Sequence, residues 1–167
     1  MEKTIQVINQ LKEEKLILDY AIGGAIASMF YIEVATTFDL DIFIKMNIEK
    51  GKLISLSPIY DWLKGKGYLF EKEHVMIEGI PVQFIPSYNE LTEEALLNSK
   101  STIYEDTNTK VIRPEYLVAI MIDTFRAKDK ERALKFIEAQ EINDKLLQTI
   151  LVKYNLTEKY NNFKKLL

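Results

Sequence analysis

Two aspartates stand one residue apart inside an otherwise apolar run, in the segment "TTFDLDIFIKM". Asp39 and Asp41 alternate with Leu40 and Ile42, which is the period-two pattern of a β-strand. Side chains two residues apart on a strand point to the same face, with α-carbons roughly 6.5 to 7 Å apart. Two carboxylates held so close repel each other unless a cation lies between them. The pair therefore predicts a site for Mg²⁺ (or Mn²⁺) with Asp39 and Asp41 as its ligands.

A glycine pair precedes the aspartates in the chain. Gly23 and Gly24 end the apolar segment "LILDYAI", a predicted strand, and "AIASMFYIE" after them favours a helix up to about Ile32. Glycines let a backbone come close to a polyphosphate, and the N–H groups at the start of a helix favour an anion. Thr37 offers a hydroxyl on the same face as Asp39. Gly23, Gly24 and Thr37 therefore predict a nucleotide-binding turn beside the metal site.

The elements around these residues predict an α+β fold, a mixed β-sheet with flanking helices. The sequence predicts an amphipathic helix at 2–14, a helix at 53–65, strands at 68–87 broken at Glu78-Gly79, and a helix that begins near the cap residue Asn89. From Pro114 the pattern becomes helical, and "PEYLVAIMIDTFRAKDKERALKFIEAQ" is predicted as one helix. We therefore expect an α/β core at 1–112 and a small helical C-terminal lobe at 113–167.

Composition excludes several classes of function. The chain has 167 residues, a net charge of -3 and no cysteine. Without cysteine there is no disulfide, thiolate nucleophile or cysteine zinc site, and the negative net charge argues against specific binding of duplex DNA. The charged N-terminal segment does not resemble a secretory signal, and no apolar run reaches the roughly 20 residues of a membrane span. We expect a cytoplasmic protein without a membrane partner.

The glycine pair and the aspartate pair together resemble the signature of the nucleotidyltransferase superfamily. In this sequence 14 residues separate Gly24 from Asp39. The segments "IGGAIASMFY", "TTFDLDIFI", "IPVQFIP" and "RPEYLVAIMIDTFRAKDKER" fall where the minimal bacterial branch with AbiEii-type toxins carries similar segments. The resemblance covers most of residues 20–135, and its first two segments are the specific ones. It implies a polymerase-β-like fold and a possible role in toxin–antitoxin or phage-defence systems, with an antitoxin as partner.

The resemblance also implies an activity. A nucleotidyltransferase of this type moves a nucleoside monophosphate from a nucleoside triphosphate to an acceptor hydroxyl on RNA, protein or a small molecule. In the basic segment "TFRAKDKER", Arg126, Lys128 and Asp129 match residues that face the active-site cleft of related transferases. Asp39, Asp41 and Lys128 are the implied catalytic residues, Arg126 and Lys128 the implied nucleotide ligands. For Lys130 an exposed helix face is the better interpretation.

Two positions depart from the family pattern. Gln83 in "PVQFIP" stands where transferases usually place a third carboxylate, and an amide adds no charge and cannot act as a base. Ala35 stands where relatives often carry an arginine. A catalytically silent module that binds a nucleotide or a partner therefore remains the alternative to an enzyme. His74, the only histidine, is interpreted as an exposed strand residue because one histidine cannot form a zinc site.

Overall fold

The computed structural model describes residues 1–34, 37–46 and 54–165. These residues form eight helices and one seven-stranded mixed sheet, as the α+β prediction required. The helices are α1 (Glu2–Glu13), α2 (Gly24–Ser28), α3 (Ser57–Gly65), α4 (Glu90–Leu97), α5 (Pro114–Thr124), α6 (Ala127–Ala139), α7 (Asp144–Lys153) and α8 (Thr157–Lys164). The strands are β1 (Asp19–Ile22), β2 (Leu40–Lys45), β3 (Leu69–Glu71), β4 (His74–Ile77), β5 (Ile80–Pro86), β6 (Lys100–Tyr104) and β7 (Thr107–Val111).

The strand order is β3-β4-β5-β2-β1-β7-β6, which places β2 in the middle of the sheet. β2 runs antiparallel to β1 and parallel to β5. Three aliphatic side chains of β2, Leu40, Ile42 and Ile44, are fully buried on one face of the sheet. The other face of β2 carries Asp41 and Phe43, and we call this face of the sheet the site face. Because β2 is hydrogen-bonded to a strand on each side, its backbone holds Asp41 in a fixed position.

Helices cover the two faces unequally. On the face opposite the site face, Tyr20 of β1 donates a hydrogen bond to Asn9 of α1 (2.7 Å), and Tyr60 of α3 packs against Phe84 of β5. On the site face, α5 lines the same cavity as β2, and α6, α7 and α8 pack against α5. None of the helices in the described ranges has both the length and the apolar character needed to cross a bilayer.

Several predicted elements differ from the observed ones. α2 ends at Ser28, although the chain continues in turns to Ile32, whose N–H donates to the Ser28 carbonyl (2.9 Å). The predicted hairpin at 68–87 contains one more strand, because Lys72 has a positive φ of 58° and turns the chain between β3 and β4. Lys72 is a residue type that rarely adopts this conformation, so the sequence carried no turn signal there. Asn89 caps α4 as predicted, accepting a hydrogen bond from the Thr92 N–H (2.8 Å).

The predicted single helix after Pro114 is wrong. The structure divides it at Phe125, which adopts a left-handed conformation with a φ of 57° and ends α5. α6 then begins at Ala127 in a new direction. A β-carbon makes this conformation unfavourable, and the usual glycine stop signal is absent. The break brings the first turn of α6 to the site face.

Candidate active site

Asp41 is the centre of the candidate site. Its backbone is held on both sides, since its carbonyl accepts a hydrogen bond from the Gly23 N–H (2.8 Å) and its α-carbon is paired with that of Gln83 on β5. Its side chain is partly buried on the site face. Within the described ranges, no hydrogen bond or ion pair to its carboxylate is found. Asp41 thus presents a fixed carboxylate that has no neutralising partner in these parts of the chain.

Gly24 lies directly against this carboxylate. A β-carbon added to Gly24 would be 1.9 Å from Oδ2 of Asp41, so no other residue fits without moving the acid. Gly24 also has a φ of +59°, a conformation that glycine adopts without strain. Gly23 is confined as well, because its β-carbon would be 2.4 Å from the ring of Phe43. The glycine pair therefore allows the β1–α2 turn to close over Asp41.

Asp39 occupies a different environment. It is exposed and immediately precedes β2, which begins at Leu40, so it is not part of the strand as the alternation predicted. The Thr37 hydroxyl donates a hydrogen bond to Oδ1 of Asp39 (2.7 Å). This hydrogen bond is the main reason that the pKa of Asp39 is lowered below its ordinary value. Thr37 thus orients Asp39, and its predicted contact with a phosphate stays a prediction.

The two acids differ in their affinity for protons. Burial, followed by repulsion from the charge of Asp39, raises the pKa of Asp41 from 3.8 to about 6. Arg132 and Arg126 act in the opposite direction and limit this rise. The pair therefore contains one readily ionised carboxylate and one whose negative charge is costly until a cation approaches it.

We expect this difference to make divalent-cation binding depend on pH. Below about pH 6 a cation must displace a proton from Asp41, whereas above pH 7 the carboxylate is already ionised. The affinity for Mn²⁺, measured by electron paramagnetic resonance of the free ion, should fall about tenfold between pH 7 and pH 5. Asp41→Asn should remove this dependence. A wild-type affinity that stays constant over the same range would contradict the assignment.

A cavity of about 400 Å³ opens above the two acids. Its floor is the site face of β2 and β5, and its roof is formed by α5 and the first half of α6. It is lined by the predicted site residues Gly24, Thr37, Asp39, Asp41, Arg126 and Lys128, together with Gln83, Asp129 and Arg132. Gly23 belongs to the same turn as Gly24 but does not line the cavity. The structure therefore brings the acidic pair and the basic segment together.

Asp129 organises the basic segment. It is buried, and its Oδ2 accepts hydrogen bonds from the Thr124 hydroxyl (2.7 Å), the Arg126 Nε (3.1 Å) and the Arg126 N–H (3.3 Å). The acid therefore ties the end of α5 to the start of α6. The Arg126 side chain is 78% exposed at the rim of the cavity, and its hydrogen bond to Asp129 helps to fix its direction there. Asp129 thereby orients the neighbouring Arg126.

Arg132 is the residue whose place sequence reasoning missed. It stands one helical turn after Lys128 on the same side of α6 and lies 3.9 Å from the Asp129 carboxylate through its NH1. It lines the cavity above the acids and a smaller adjoining one of about 160 Å³, which is also lined by Lys128 and Lys135. The spacing of Lys128, Arg132 and Lys135 along one side of α6 was the available signal. The sequence alone did not show that this side faces the acids.

The donor set fits a divalent metal ion of the magnesium type. Asp39 and Asp41 offer hard oxygen ligands, and the uncompensated Asp41 carboxylate is an acceptor for such an ion. Within the described ranges, no cluster of three or more histidine, cysteine or acidic residues could hold a metal by itself. Magnesium commonly completes its shell with water and substrate phosphates, so two carboxylates suffice. Ala35, one of the two family departures, lies outside the described residues.

Comparisons with known proteins support the fold. The sequence matches no protein-family model and no curated protein. The structure is similar to a crystal structure described as "an antigenic nucleotidyltransferase-like protein" from Paracoccidioides brasiliensis, with a TM-score of 0.54 and 17% sequence identity. The match covers 98% of this chain and 91% of the other. At this identity the similarity establishes the fold, and this chain has a nucleotidyltransferase-like fold.

Proposed function

We propose that this protein is a metal-dependent nucleotidyltransferase that moves a nucleoside monophosphate from a nucleoside triphosphate to an acceptor hydroxyl. One observation carries the proposal: an exposed and a partly buried carboxylate, Asp39 and Asp41, meet at the floor of a cavity whose roof is basic. A nucleoside triphosphate with a divalent cation matches this distribution of charge. A purely structural role would leave the uncompensated Asp41 and the fitted Gly24 without a purpose.

Each side chain has a defined part in this scheme. Asp39 and Asp41 hold the cation, and Gly24 leaves room for the Asp41 carboxylate. Lys128 and Arg126 bind the phosphates and offset the negative charge that develops on the departing pyrophosphate. A bound Mg²⁺ or Mn²⁺ would supply charge neutralisation and would lower the pKa of an attacking hydroxyl. The apolar part of the roof, Leu117, Ile120 and Met121, excludes water from the phosphates.

A catalytically silent binding module is the alternative, and Gln83 is the observation that favours it. Its α-carbon is paired with that of Asp41 in the parallel strands, where a third carboxylate would complete the metal site. The two functions can be separated with nucleoside triphosphates labelled at the α-phosphate, Mg²⁺ or Mn²⁺, and a mixture of unfractionated RNA, denatured protein and glycerol as acceptors. Transfer of label that requires Asp41 supports the enzyme. Nucleotide binding with neither transfer of label nor release of pyrophosphate supports the module.

The role of Lys128 can be tested by binding alone. Lys128→Gln removes one positive charge from the cavity, and the loss of a charge-assisted hydrogen bond to a phosphate should raise the Kd for a nucleoside triphosphate roughly tenfold. The Kd for the monophosphate should change less, because the cationic roof acts mainly on the terminal phosphates. Isothermal titration calorimetry gives both values. Lys145→Gln, an exposed lysine of α7, is the matched control and should change neither; equal effects in the two variants would contradict the assignment.

The narrower resemblance to AbiEii-type toxins rests on the sequence segments alone, and a toxin role remains a proposal. Expression in a bacterial host tests it directly. Growth arrest that Asp41→Asn abolishes would support a toxic transferase. Unchanged growth with an active enzyme in the same cells would contradict the toxin role without affecting the transferase.

A further inference from the structure

A row of polar side chains crosses the site face beyond Asp41. The register pairs Asp41 with Gln83 and His74 with Glu71. β4 and β5 are antiparallel with Val75 opposite Val82, so continuing the register by one residue places His74 opposite Gln83. Directly opposite residues share a face of the sheet, so Asp41, Gln83, His74 and Glu71 form one line across four adjacent strands.

The alternation of burial confirms that this line lies on the site face. Val75 and Val82 are fully buried on the opposite face, whereas His74 and Gln83 are partly exposed. His74 is a strand residue, as the sequence suggested, but it is only partly exposed. Adjacent strands are separated by about 4.8 Å, so the α-carbon of His74 lies roughly 10 Å from that of Asp41.

The imidazole lies within electrostatic range of both acids. A positive charge on His74 lowers the pKa of Asp39 and that of Asp41. The charged groups around it are Glu71 on β3 and the two aspartates at β2, while Gln83 on β5 is neutral. No hydrogen bond of the His74 ring to another described residue is found, and the described residues contain no metal-binding cluster that includes it. The structure thus gives His74 no evident structural task.

We propose that His74 is the catalytic base that accepts the proton of the acceptor hydroxyl, a role that Gln83 cannot fill. The inference rests on the proposed function and assigns the side of the site from which the acceptor approaches. Among the described residues no helix covers β3 and β4 on this face, since Leu69 and Glu71 are exposed and Met76 is partly exposed. The acceptor would therefore lie over β4 and β5, and the triphosphate under α6.

The chemistry balances with the groups at hand. A ring nitrogen of neutral His74 takes the proton of the acceptor hydroxyl as its oxygen forms a bond to the α-phosphorus. The bond from that phosphorus to the bridging oxygen breaks, and its electron pair leaves with pyrophosphate, next to Lys128 and Arg132. The imidazolium then returns its proton to solvent. The amide of Gln83 can hold the acceptor by a hydrogen bond but cannot take the proton.

The test compares His74→Ala with Met76→Ala, which removes a partly exposed side chain from the same strand and the same face. The readout is pyrophosphate release, followed by a coupled enzymatic assay, from an equal mixture of the four nucleoside triphosphates with Mn²⁺ and the mixed acceptors, which registers transfer to any hydroxyl. We expect His74→Ala to lower kcat at least 100-fold, within the usual range for general-base catalysis, with the Kd for ATP changed less than twofold. Met76→Ala should retain kcat within threefold. Added imidazole should raise the rate of His74→Ala at least tenfold and should not raise the rate of Met76→Ala.

The outcomes separate the two proposals. Turnover by the wild type with less than a threefold loss in His74→Ala, or a loss that imidazole does not rescue, overturns the role of His74 and leaves the transferase intact. Absence of pyrophosphate release by the wild type overturns the transferase and the base with it. Should His74→Ala bind ATP poorly or melt at a lower temperature, His74→Gln serves in its place. A retained kcat in that variant overturns the assignment.

Discussion

Replacing Asp41 by asparagine is expected to abolish nucleotidyl transfer and, at the same time, to stabilise the metal-free protein. The pKa of Asp41 is about 6 in the folded chain against 3.8 for an unperturbed aspartate. Because the pKa is higher in the folded chain, ionisation of Asp41 lowers the free energy of unfolding. This destabilisation is absent below about pH 4 and fully present above about pH 6. A difference of about two pKa units corresponds to roughly 3 kcal/mol. Asparagine keeps the shape and removes this cost.

Urea unfolding at pH 7.5 without divalent cations should show the higher stability of Asp41→Asn. In a separate assay, transfer of label by the same variant should fall at least 1000-fold. Asp39→Asn is the matched control. The hydrogen bond from Thr37 lowers the pKa of Asp39, so loss of this charge removes a favourable contribution to the fold, while it also relieves the repulsion on Asp41. Asp39→Asn should therefore stabilise the protein less than Asp41→Asn does. Transfer should fall in both variants. An Asp41→Asn protein that is less stable than the wild type would show that the carboxylate is a structural group.

The second large effect is expected from Gly24→Ala. The new β-carbon would meet Oδ2 of Asp41 at 1.9 Å, and the left-handed backbone at Gly24 adds strain of its own. The acid or the β1–α2 turn must then move, although only one methyl group has been added. We expect Mn²⁺ binding and transfer to fall at least 100-fold and the free energy of unfolding to fall by about 1 to 3 kcal/mol.

Gly65→Ala is the control for the glycine substitution itself. Gly65 ends α3, and beyond its own helix no atom of the described residues lies within 4 Å of the position its β-carbon would take. Alanine there should leave metal binding and transfer unchanged and should not destabilise the fold. Normal Mn²⁺ affinity in Gly24→Ala would contradict the proposed contact between the turn and Asp41.

The comparison of sequence and structure shows which parts of the site are encoded locally. The pattern of Asp39 and Asp41 against Leu40 and Ile42 predicted a strand with an acidic edge, because the two-residue period is a property of neighbouring residues. The contact between Gly24 and Asp41 joins two elements. Only the resemblance to a family indicated that Gly24 and Asp41 belong to one site. The spacing of the two residues in the sequence did not show how short the distance between them is.

The remaining parts depend on backbone conformations that have no sequence signal. Phe125 adopts a left-handed conformation without being glycine or asparagine, and this one residue decides that α6 turns towards the acids. Tertiary packing of its ring against Phe163, at a centroid distance of 6.3 Å, accompanies the turn. The positions of Arg132 and His74 at the cavity and on the site face follow from such distant contacts. Sequence reasoning therefore found the acids, the glycine turn and the basic segment, but it did not place Arg132 or His74 beside them.

The place of β2 in the strand order has a consequence for the choice of metal ion. Asp41 is locked into the central ladder between two neighbours, whereas Asp39 stands just outside it and is held by one hydroxyl. In the proposed cation site, ions of unequal radius would be accommodated by adjusting Asp39 alone, without disturbing the sheet. Such a site, with one immovable and one adjustable oxygen donor, would exchange Mg²⁺ for the larger Mn²⁺ at little energetic cost.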